Sequence, residues 1–348
     1  MKRRLLINML SFTSSFFYMR YIFFILLLCF INNLSAQKIQ VLDSGHHTSL
    51  RGLSVVNDHI IWVSGSNGQV GLSLDAGKTW DWITVKGFEK TDFRDIEAFS
   101  STEAIIMGVA EPAYILKTND AGKTWKVVFE DKRPGMFLDA MEFWNEMSGI
   151  VVGDPIDGKI FIARTFDGGD TWRGLPEENY PKADSGEAMF ASSGTNVKAI
   201  NKSEAVFVTG GLRSRLFVRN NKIDLPIIQG KQTTGANSIA VKNEKILIIV
   251  GGDFNTKDSA DKNCFISKDG GKHWNAPAIN PHGYRSCVEY IGKNNWICCG
   301  LTGVDYSTTN GQQWNLISNE SFHVVKKAKS GKAVYLAGIN GKIGKLVY

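Results

Sequence analysis

The phrase Ser73-Leu-Asp-Ala-Gly-Lys-Thr-Trp80 decides the fold of this chain, because it occurs five times. The other copies are Thr118–Trp125, Thr165–Trp172, Ser267–Trp274 and a degenerate one, Ser307–Trp314. Their common pattern is Ser/Thr-x-Asp-x-Gly-x-Thr-Trp. An Asp at this place can hydrogen-bond to backbone two residues further on, and the Gly takes a positive φ, so together they close a tight turn between strands.

The spacing of the copies predicts a β-propeller. The final tryptophans are 45, 47, 102 and 40 residues apart, and the gap of 102 is two units. One unit has therefore lost its copy, and we predict the remnant at Asn220-Asn221-Lys222. Units of about 40–50 residues that hold short alternating strands are typical of propeller blades.

The pattern assigns structural roles to nine residues. The Asp closes the turn, far from any central site, and it lacks the further acidic ligands that a calcium loop needs, so we expect no bound metal. The Trp opens the next strand and buries its ring in the core of the blade. These residues are Asp75, Asp120, Asp167 and Asp269, and Trp80, Trp125, Trp172, Trp274 and Trp314.

The strand pattern predicts an all-β fold, a single propeller of seven four-stranded antiparallel blades. Each unit has an inner strand and then an apolar second strand that ends in Gly, and no segment of useful length has helical periodicity. The predicted inner strands are Arg51–Val56, Arg94–Phe99, Leu138–Phe143, Glu187–Ala191, Asn237–Val241, Arg285–Tyr290 and His323–Ala328. The last unit has only three strands. We therefore expect Lys38–Leu42 to supply its fourth strand and close the ring, which removes the exposed sheet edges.

Residues 1–36 have the pattern of a secretory signal. They contain four basic residues and no acidic one, then an apolar run, Tyr21–Ile31, and the small residues Ser35 and Ala36 before Gln37. The expected products are a signal peptide, residues 1–36, and a propeller domain, residues 37–348, exported to the periplasm or the exterior. The alternative is a leader that stays attached as an anchor. Met1 and Met19 both remain open as the true start.

Charge and cysteine content exclude some classes of function. The net charge is +6, but the leader carries four of the positive charges, so the other 312 residues are near +2. They hold no basic stripe with interleaved aromatic residues, so no nucleic-acid partner is expected. Four cysteines remain after cleavage, Cys264, Cys287, Cys298 and Cys299. Two alternatives stay open: the thiols are buried and free, or Cys287 forms a bridge to the Cys298/Cys299 pair.

The repeated phrase is the Asp box of the bacterial neuraminidase repeat, and the chain resembles the sialidase-like superfamily of propellers. The segment Phe143–Gly153, read as Phe-Trp-Asn-Glu-Met-Ser-Gly-Ile-Val-Val-Gly, is similar to the photosystem II assembly/stability factor family. That resemblance implies a secreted seven-bladed propeller that acts as a binding protein. Similar exported proteins are often labelled oxidoreductases, yet no residue pattern here supports that label.

The starts of the inner strands are the candidate binding residues, because they meet at one mouth of the central channel. Charged groups recur at this register, where Arg can grip carboxylates in bidentate fashion. The expected mouth residues are Arg51, Arg94, Asp139, Glu187, Asn237, Arg285 and His323, with Glu111, Asp154 and Arg213 from loops on the same face. Arg285, His323, Arg51 and Arg94 would form a basic arc, and Asp139 and Glu187 an acidic one. The alternative without a ligand is a water-filled mouth lined by mutually paired charges.

Two enzyme classes remain as alternatives. A sialidase needs three arginines on the substrate carboxylate, and Arg51, Arg94 and Arg285 would imitate them, with Tyr284, Tyr290 or Tyr306 as the nucleophile. Those enzymes have six blades and a Phe/Tyr-Arg-Ile-Pro phrase, whereas this chain reads Leu50-Arg-Gly-Leu53. For an oxidoreductase, the vicinal Cys298 and Cys299 are the one feature of interest, and there is no GxGxxG before a helix.

The sequence thus favours a protein-binding or assembly scaffold that holds a protein or an anionic ligand at the channel mouth. We expect no cofactor, no membrane anchor after cleavage and a monomer. The identity of the partner does not follow from the sequence.

Overall fold

Short apolar runs separated by Gly, Asn and Asp turns become strands throughout the chain. The computed structural model describes residues 37–219 and 221–348. Residues Lys38–Val347 form one compact unit. The predicted signal peptide, residues 1–36, and Asn220 of the predicted remnant lie outside the described residues.

Seven antiparallel sheets make a ring of blades, which confirms the predicted seven-bladed propeller. From the inner to the outer strand, blades one to four are Leu50–Val55, Ile61–Gly65, Gln69–Ser73 and Asp81–Thr84; Phe93–Ala98, Ala104–Gly108, Ala113–Thr118 and Lys126–Asp131; Leu138–Phe143, Gly149–Ile156, Lys159–Thr165 and Arg173–Gly174; and Val197–Ala199, Ala205–Val208, Arg215–Val218 and Asn221–Asp224.

The remaining blades follow the same order. Blades five to seven are Thr234–Val241, Leu247–Asp253 and Cys264–Ser267; Cys287–Gly292, Asn295–Gly300, Gly303–Ser307 and Asn315–Ser318; and Val324–Lys327, Val334–Ala337, Ile343–Val347 and Lys38–Asp43. In blade five the fourth strand is reduced to a bridge between Asn275 and Ile266. Three single-turn 3₁₀ helices lie at Glu177–Asn179, Phe254–Thr256 and Ile339–Gly341.

The first strand of the described chain closes the ring, as predicted. Lys38–Asp43 pairs antiparallel with Ile343–Val347, the third strand of blade seven. A strand from each end of the chain therefore belongs to one sheet. This pairing gives blade seven its fourth strand and covers the outer edge of Ile343–Val347.

The Asp-box turns are held by side chains that bond their own backbone. Asp75 accepts hydrogen bonds from the Thr79 N–H (2.9 Å) and the Thr79 hydroxyl (2.7 Å), which hold the pKa of its carboxyl down at about 2. The Ser73 hydroxyl accepts from the Gly77 N–H at 2.9 Å. Ala76 and Gly77 both have positive φ, 65° and 80°. The Asp therefore reaches the fourth residue after it, further along the chain than the sequence suggested.

The box tryptophans pack between their own blade and the preceding one. Trp172 and Trp314 are 8% and 1% exposed. Trp80, Trp125 and Trp274 are half-buried, less deeply than expected, because each indole N–H turns back to the carbonyl oxygen of the box Gly three residues earlier. Each ring still packs against a core cluster that includes residues of the preceding blade.

Blade four differs from the sequence prediction. Its inner strand is Val197–Ala199, about ten residues after the predicted Glu187–Ala191. Glu187–Ala188 instead pairs with Gly210–Gly211, which continues onto blade five through Gly235. The segment before the inner strand is thus an insertion. It runs across the end of the channel, and this position gives it a part in the candidate site.

Candidate functional site at the channel mouth

The two faces of the ring carry different elements. The box turns bond to the turns that follow the inner strands: the Ala76 N–H donates to His59 O, and the Gly168 N–H to Met147 O. The boxes therefore lie on the face where the inner strands end. The opposite face, where the inner strands begin, holds a cavity of about 400 Å³, the mouth cavity. Its lining residues are Arg51, Arg94, Phe137, Asp154, Met189, Phe190, Ala191, Ser192, Asn237, Phe254, Tyr284, Ser286, Leu301 and His323.

Arg51 and Arg94, from neighbouring blades, lie on one side of the mouth cavity. Arg51 is half-buried and donates to Ser192 O at 3.1 Å, and no carboxylate of the described residues forms an ion pair with it. Burial and the nearby charge of Arg94 lower the pKa of Arg51. Arg94 donates through Nε to Asp92 (2.7 Å) and lies 5.7 Å from the centre of the Phe137 ring. Arg94 therefore has a carboxylate in contact, whereas Arg51 has none within the described residues.

His323 lies beside these arginines as a neutral ring. Burial, then the charges of Arg51 and Arg94, lower its pKa to about 3. Its Nε2 is 3.3 Å from the hydroxyl of Ser49. At neutral pH His323 therefore offers hydrogen bonds and adds no third positive charge.

The opposite wall of the mouth cavity is aromatic and apolar. Phe254 makes edge contacts with Phe190 (5.9 Å between ring centres) and Tyr284 (6.3 Å). The Tyr284 hydroxyl donates to the amide oxygen of Asn237 at 2.7 Å, and burial raises the pKa of Tyr284 to about 12. The cavity thus combines a pair of guanidinium groups with a surface that suits an apolar side chain.

Two carboxyl groups, Asp154 and Asp139, lie in the cavity lining and behind it. Asp154 accepts from the Met189 N–H at 2.7 Å, and burial raises its pKa to about 6. Asp139 is fully buried behind the cavity surface, and burial, then the charge of Asp154, raise its pKa well above the usual range. Burial thus disfavours the charged form of Asp139, and its carboxyl oxygens form no hydrogen bond with either arginine.

The blade-four insertion closes the channel below the mouth cavity. The Ser193 hydroxyl donates to Ser286 O (2.8 Å) in blade six, and the Thr195 hydroxyl donates to the Ser238 hydroxyl (2.7 Å) in blade five. At Gly194 a Cβ atom would lie 2.3 Å from the Asp95 carboxyl of blade two, so only glycine fits there. Because this segment contacts blades on several sides, it separates the two ends of the channel.

Arg285 is not at the mouth. Its side chain is fully buried, and its Nε donates to the buried Asp305 at 2.7 Å. The backbone hydrogen bonds at the start of the strand give the reason. The Ser286 N–H donates to Cys299 O as the His323 N–H donates to Ala337 O, so Ser286 occupies the register that His323 has in blade seven. The predicted basic arc is thus reduced to Arg51, Arg94 and His323.

Three other predicted mouth residues also lie outside the lining of the cavity. Glu187 is buried and accepts from Arg215 Nε at 3.0 Å, because its segment belongs to the insertion. Arg213 is exposed and pairs with Asp224 (2.7 Å). Glu111 is exposed and accepts from the Gly135 N–H (2.6 Å). With Asp139 buried as well, the predicted acidic arc is not formed.

Sequence reasoning missed the other end of the channel. There a cavity of about 600 Å³, the box-face cavity, is lined by the ends of the inner strands. Its ion pairs are Lys198 with Glu142 (3.0 Å) and Lys329 with Glu97 (2.6 Å). The sequence does contain a signal for this end of the channel, because charged residues recur at one position of the inner strands. The residues that pair with the same position of the second strand are Ser54, Glu97, Glu142, Lys198, Ala240, Glu289 and Lys326.

The positions of the arginines, Tyr284 and the cysteines can be compared with the needs of the two enzyme classes. Arg285 does not join Arg51 and Arg94, so the three arginines of a sialidase site do not converge. The Tyr284 hydroxyl donates to the amide oxygen of Asn237, whereas a nucleophilic tyrosine would need a carboxylate partner. Cys264, Cys287, Cys298 and Cys299 are buried free thiols. Within residues 37–219 and 221–348 no group of three His, Cys, Asp or Glu side chains is placed to hold a metal ion, and no helix is long and apolar enough to span a membrane.

Comparisons with known proteins agree with the fold. A family described as photosynthesis system II assembly factor YCF48 matches residues 32–178, less than half of the chain. Among solved structures, YCF48 bound to a D1 peptide aligns with a TM-score of 0.65 at 17% identity, covering 90% of this chain and 96% of that one. YCF48 from Cyanidioschyzon merolae gives 0.60 at 16% identity, with coverages of 88% and 98%.

A propeller outside that family is similar as well. The WD40 β-propeller domain of Doa1 aligns with a TM-score of 0.62 at 13% identity, covering 90% of this chain and 98% of that one. No curated protein sequence matches the chain. The match to the assembly-factor family and the two YCF48 structures confirm the resemblance drawn from the Asp boxes: the chain is a seven-bladed β-propeller that is similar to the YCF48 photosystem II assembly factors, in sequence over residues 32–178.

Proposed function

We propose that this chain is an exported scaffold that captures a polypeptide at the mouth cavity. A carboxylate of the polypeptide binds Arg51 and Arg94, and a neighbouring apolar side chain packs against Phe190 and Phe254. The signal pattern of residues 1–36 supports export. Solved relatives include a YCF48 bound to a D1 peptide, which supports a polypeptide as the class of ligand.

The observation that carries this proposal is the unpaired charge of Arg51. Desolvating a guanidinium group is costly unless a partner compensates for it. Arg51 is half-buried beside a second arginine and has only one carbonyl oxygen as a hydrogen-bond acceptor. A bound carboxylate would supply the missing charge and the bidentate geometry that arginine prefers.

The apolar wall selects a polypeptide over a small inorganic anion. An inorganic anion would use the arginines alone and leave the surface of Phe190 and Phe254 exposed to water. A peptide with a carboxylate next to an aliphatic or aromatic side chain buries that surface as well, and apolar burial contributes about 25 cal/mol per Å². The cavity of about 400 Å³ has room for one such side chain.

The test is a selection from a displayed peptide library, followed by affinity measurements on the selected peptides. Arg51→Gln/Arg94→Gln should weaken binding by about a hundredfold, because charged hydrogen bonds contribute about 1.5–3 kcal/mol each. The matched control, Arg133→Gln/Arg173→Gln, changes the net charge equally at two exposed arginines outside the cavity and should bind as the unchanged chain does.

Thermal unfolding of both double variants establishes that they fold. If the selected peptides bind the Arg51→Gln/Arg94→Gln variant with unchanged affinity, the mouth cavity is not the binding site. If selection yields peptides without any carboxylate near the apolar residue, the proposed ligand class is wrong.

A further inference from the structure

The Asp box of each blade covers the side of the blade before it. The box of blade six shows the arrangement: a Cβ at Gly311 would lie 2.3 Å from Ile248, and Trp314 packs in one cluster with Ile248 and Ile266 of blade five. Gly122, Gly169 and Gly271 approach blades one, two and four in the same way. A blade followed by a box therefore has its outer side sealed by a turn and an indole ring.

Blade four has no box, and a groove opens at the place that a box would fill. Its third and fourth strands join directly, with Val218 paired to Asn221. The groove between blades three and four, the blade-three groove, has a volume of about 700 Å³. Ile150, Ile162 and Arg164 of blade three line it, with Tyr180 and the blade-four residues Ala205 and Phe207. Ile150 and Arg164 pair across blade three as Ile248 and Ile266 pair across blade five.

Arg164 is a cation in this groove without a partner. Its Nε is buried and has no hydrogen-bond acceptor, and no carboxylate of the described chain forms an ion pair with it. The same register in blade two holds another cation, Lys117, which pairs across that blade with Ile105. A cation at this position thus occurs in two successive blades, and only one of them is followed by a box.

Lys117 shows what satisfies a cation at this register. Its ammonium group donates to Gly168 O at 2.9 Å and forms an ion pair with Asp170 at 3.0 Å, both from the box of blade three. Glu103 of its own blade adds a further pair at 3.0 Å. Two residues after Asp170, the indole of Trp172 packs into the core cluster shared by blades two and three. The box therefore delivers a carboxylate and an indole together.

We propose that the blade-three groove binds a turn of a protein partner that presents a carboxylate and, two residues later, a tryptophan side chain. The carboxylate pairs with Arg164 as Asp170 pairs with Lys117, and the indole lies between Ile150 and Phe207. The unpaired guanidinium group of Arg164 and the unfilled volume both point to this occupant. Two carboxylates also line the groove: Glu204 pairs with Arg219, and Glu178 forms no ion pair within the described residues. The inference is independent of the mouth cavity, which lies on another part of the ring.

The probe is a cyclised, fluorescein-labelled peptide with the sequence of residues 166–173, Phe-Asp-Gly-Gly-Asp-Thr-Trp-Arg. Fluorescence anisotropy should show that it binds the full chain. Replacing the second Asp of the peptide by Asn should weaken binding about tenfold, since a charged hydrogen bond contributes about 1.5–3 kcal/mol. Replacing its Trp by Ala should abolish binding.

Variants of the chain locate the site. Arg164→Leu should bind the Asp and Asn peptides equally, whereas the control Lys272→Leu, an exposed cation on blade five outside the groove, should keep the tenfold preference. Ala205→Trp should fill the groove and block the peptide. Should Ala205→Trp fail to fold, the Arg164→Leu comparison still decides the question.

Three outcomes overturn the proposal. They are no binding of the cyclic peptide by the full chain, an unchanged preference for Asp in Arg164→Leu, and a dimer in sedimentation analysis that Ala205→Trp or Arg164→Leu converts to a monomer. The last result would identify a second copy of this chain as the occupant.

Discussion

The two ends of the central channel differ in how their charges are compensated. At the box-face cavity, Lys198 and Lys329 each form an ion pair with a glutamate, so positive and negative groups balance locally. At the mouth cavity, Arg51 and Arg94 lie side by side; Asp92 pairs with the Nε of Arg94 and Asp154 lines the same cavity, but no carboxylate of the described residues forms an ion pair with Arg51. Both ends are polar, so polarity alone would not distinguish a binding site from a solvated opening. A binding site is distinguished by an arginine without a carboxylate partner next to an apolar wall.

The same contrast holds between two arginines that the sequence placed together. Arg285 is fully buried and satisfied by Asp305, whereas Arg51 is half-buried and has no carboxylate partner. One arginine is part of the folded core, and the other has unused binding capacity. The predictions below test this distinction between structural and available charges.

The largest effect is expected at Arg285. Arg285→Met leaves Asp305 buried without its cation and should lower the free energy of unfolding by about 3–5 kcal/mol. Arg51→Met should change it by about 1 kcal/mol or less, because one hydrogen bond is lost and the repulsion from Arg94 is relieved. Chemical denaturation of both variants measures the difference. Equal losses would mean that Arg51 is structural too.

A smaller loss is expected at the box-face cavity. Lys198→Met removes the cation next to Glu142, whose side chain is only 11% exposed, and should cost about 1–3 kcal/mol. The double variant Lys198→Met/Glu142→Met should recover most of that loss, because it leaves no unpaired charge. Peptide binding at the mouth cavity should stay unchanged in both variants. Loss of binding in either would contradict the separation of the two ends by the blade-four insertion.

His323 should make the stability of the chain depend on pH. Its pKa in the folded chain is about 3, below the usual value of 6.5, so between these pH values only the unfolded chain takes up the proton. His323 therefore costs stability as pH falls below about 6.5, by at most about 1.4 kcal/mol per pH unit. His323→Asn should remove this part of the slope. Parallel stability profiles of the two proteins between pH 6 and 4 would show that His323 is not desolvated.

The smallest effect is expected for the exposed pair of the box-face cavity. Lys329 is 41% exposed in its ion pair with Glu97, and such pairs contribute about 0–1 kcal/mol. Lys329→Gln should therefore shift the midpoint of urea unfolding only slightly. A loss of several kcal/mol would show that the box-face charges form a cooperative network.

The fold was accessible from the sequence because the determinants of each blade are local. The box phrase sets a turn within eight residues, and a Gly recurs at or near the end of the second strand on the face of the mouth cavity. The closing strand followed from counting strands, and the structure pairs Lys38–Asp43 as expected. Blade four was placed wrongly because it has no box to fix its register, and Glu187–Ala191 resembled an inner strand.

The site was accessible only in part. Arg51 and Arg94 were found because strand starts converge in any propeller. The prediction for Arg285 is wrong by one residue, because the backbone hydrogen bonds place Ser286 at the register of His323, and the sequence does not show which of two adjacent residues takes that register. Glu187 and Asp139 were expected at the mouth as free charges, but burial depends on neighbouring blades. The part of the blade-four insertion that closes the channel, Ser192–Thr195, is held by contacts with other blades, which no local pattern predicts.

The most direct test of the central claim is a crystal structure of the chain with the tightest peptide from the selection. We expect a peptide carboxylate within hydrogen-bond distance of the guanidinium groups of Arg51 and Arg94, and an apolar side chain against Phe190 and Phe254. A peptide seated in the box-face cavity beside Lys198, with the mouth cavity empty, would contradict the account.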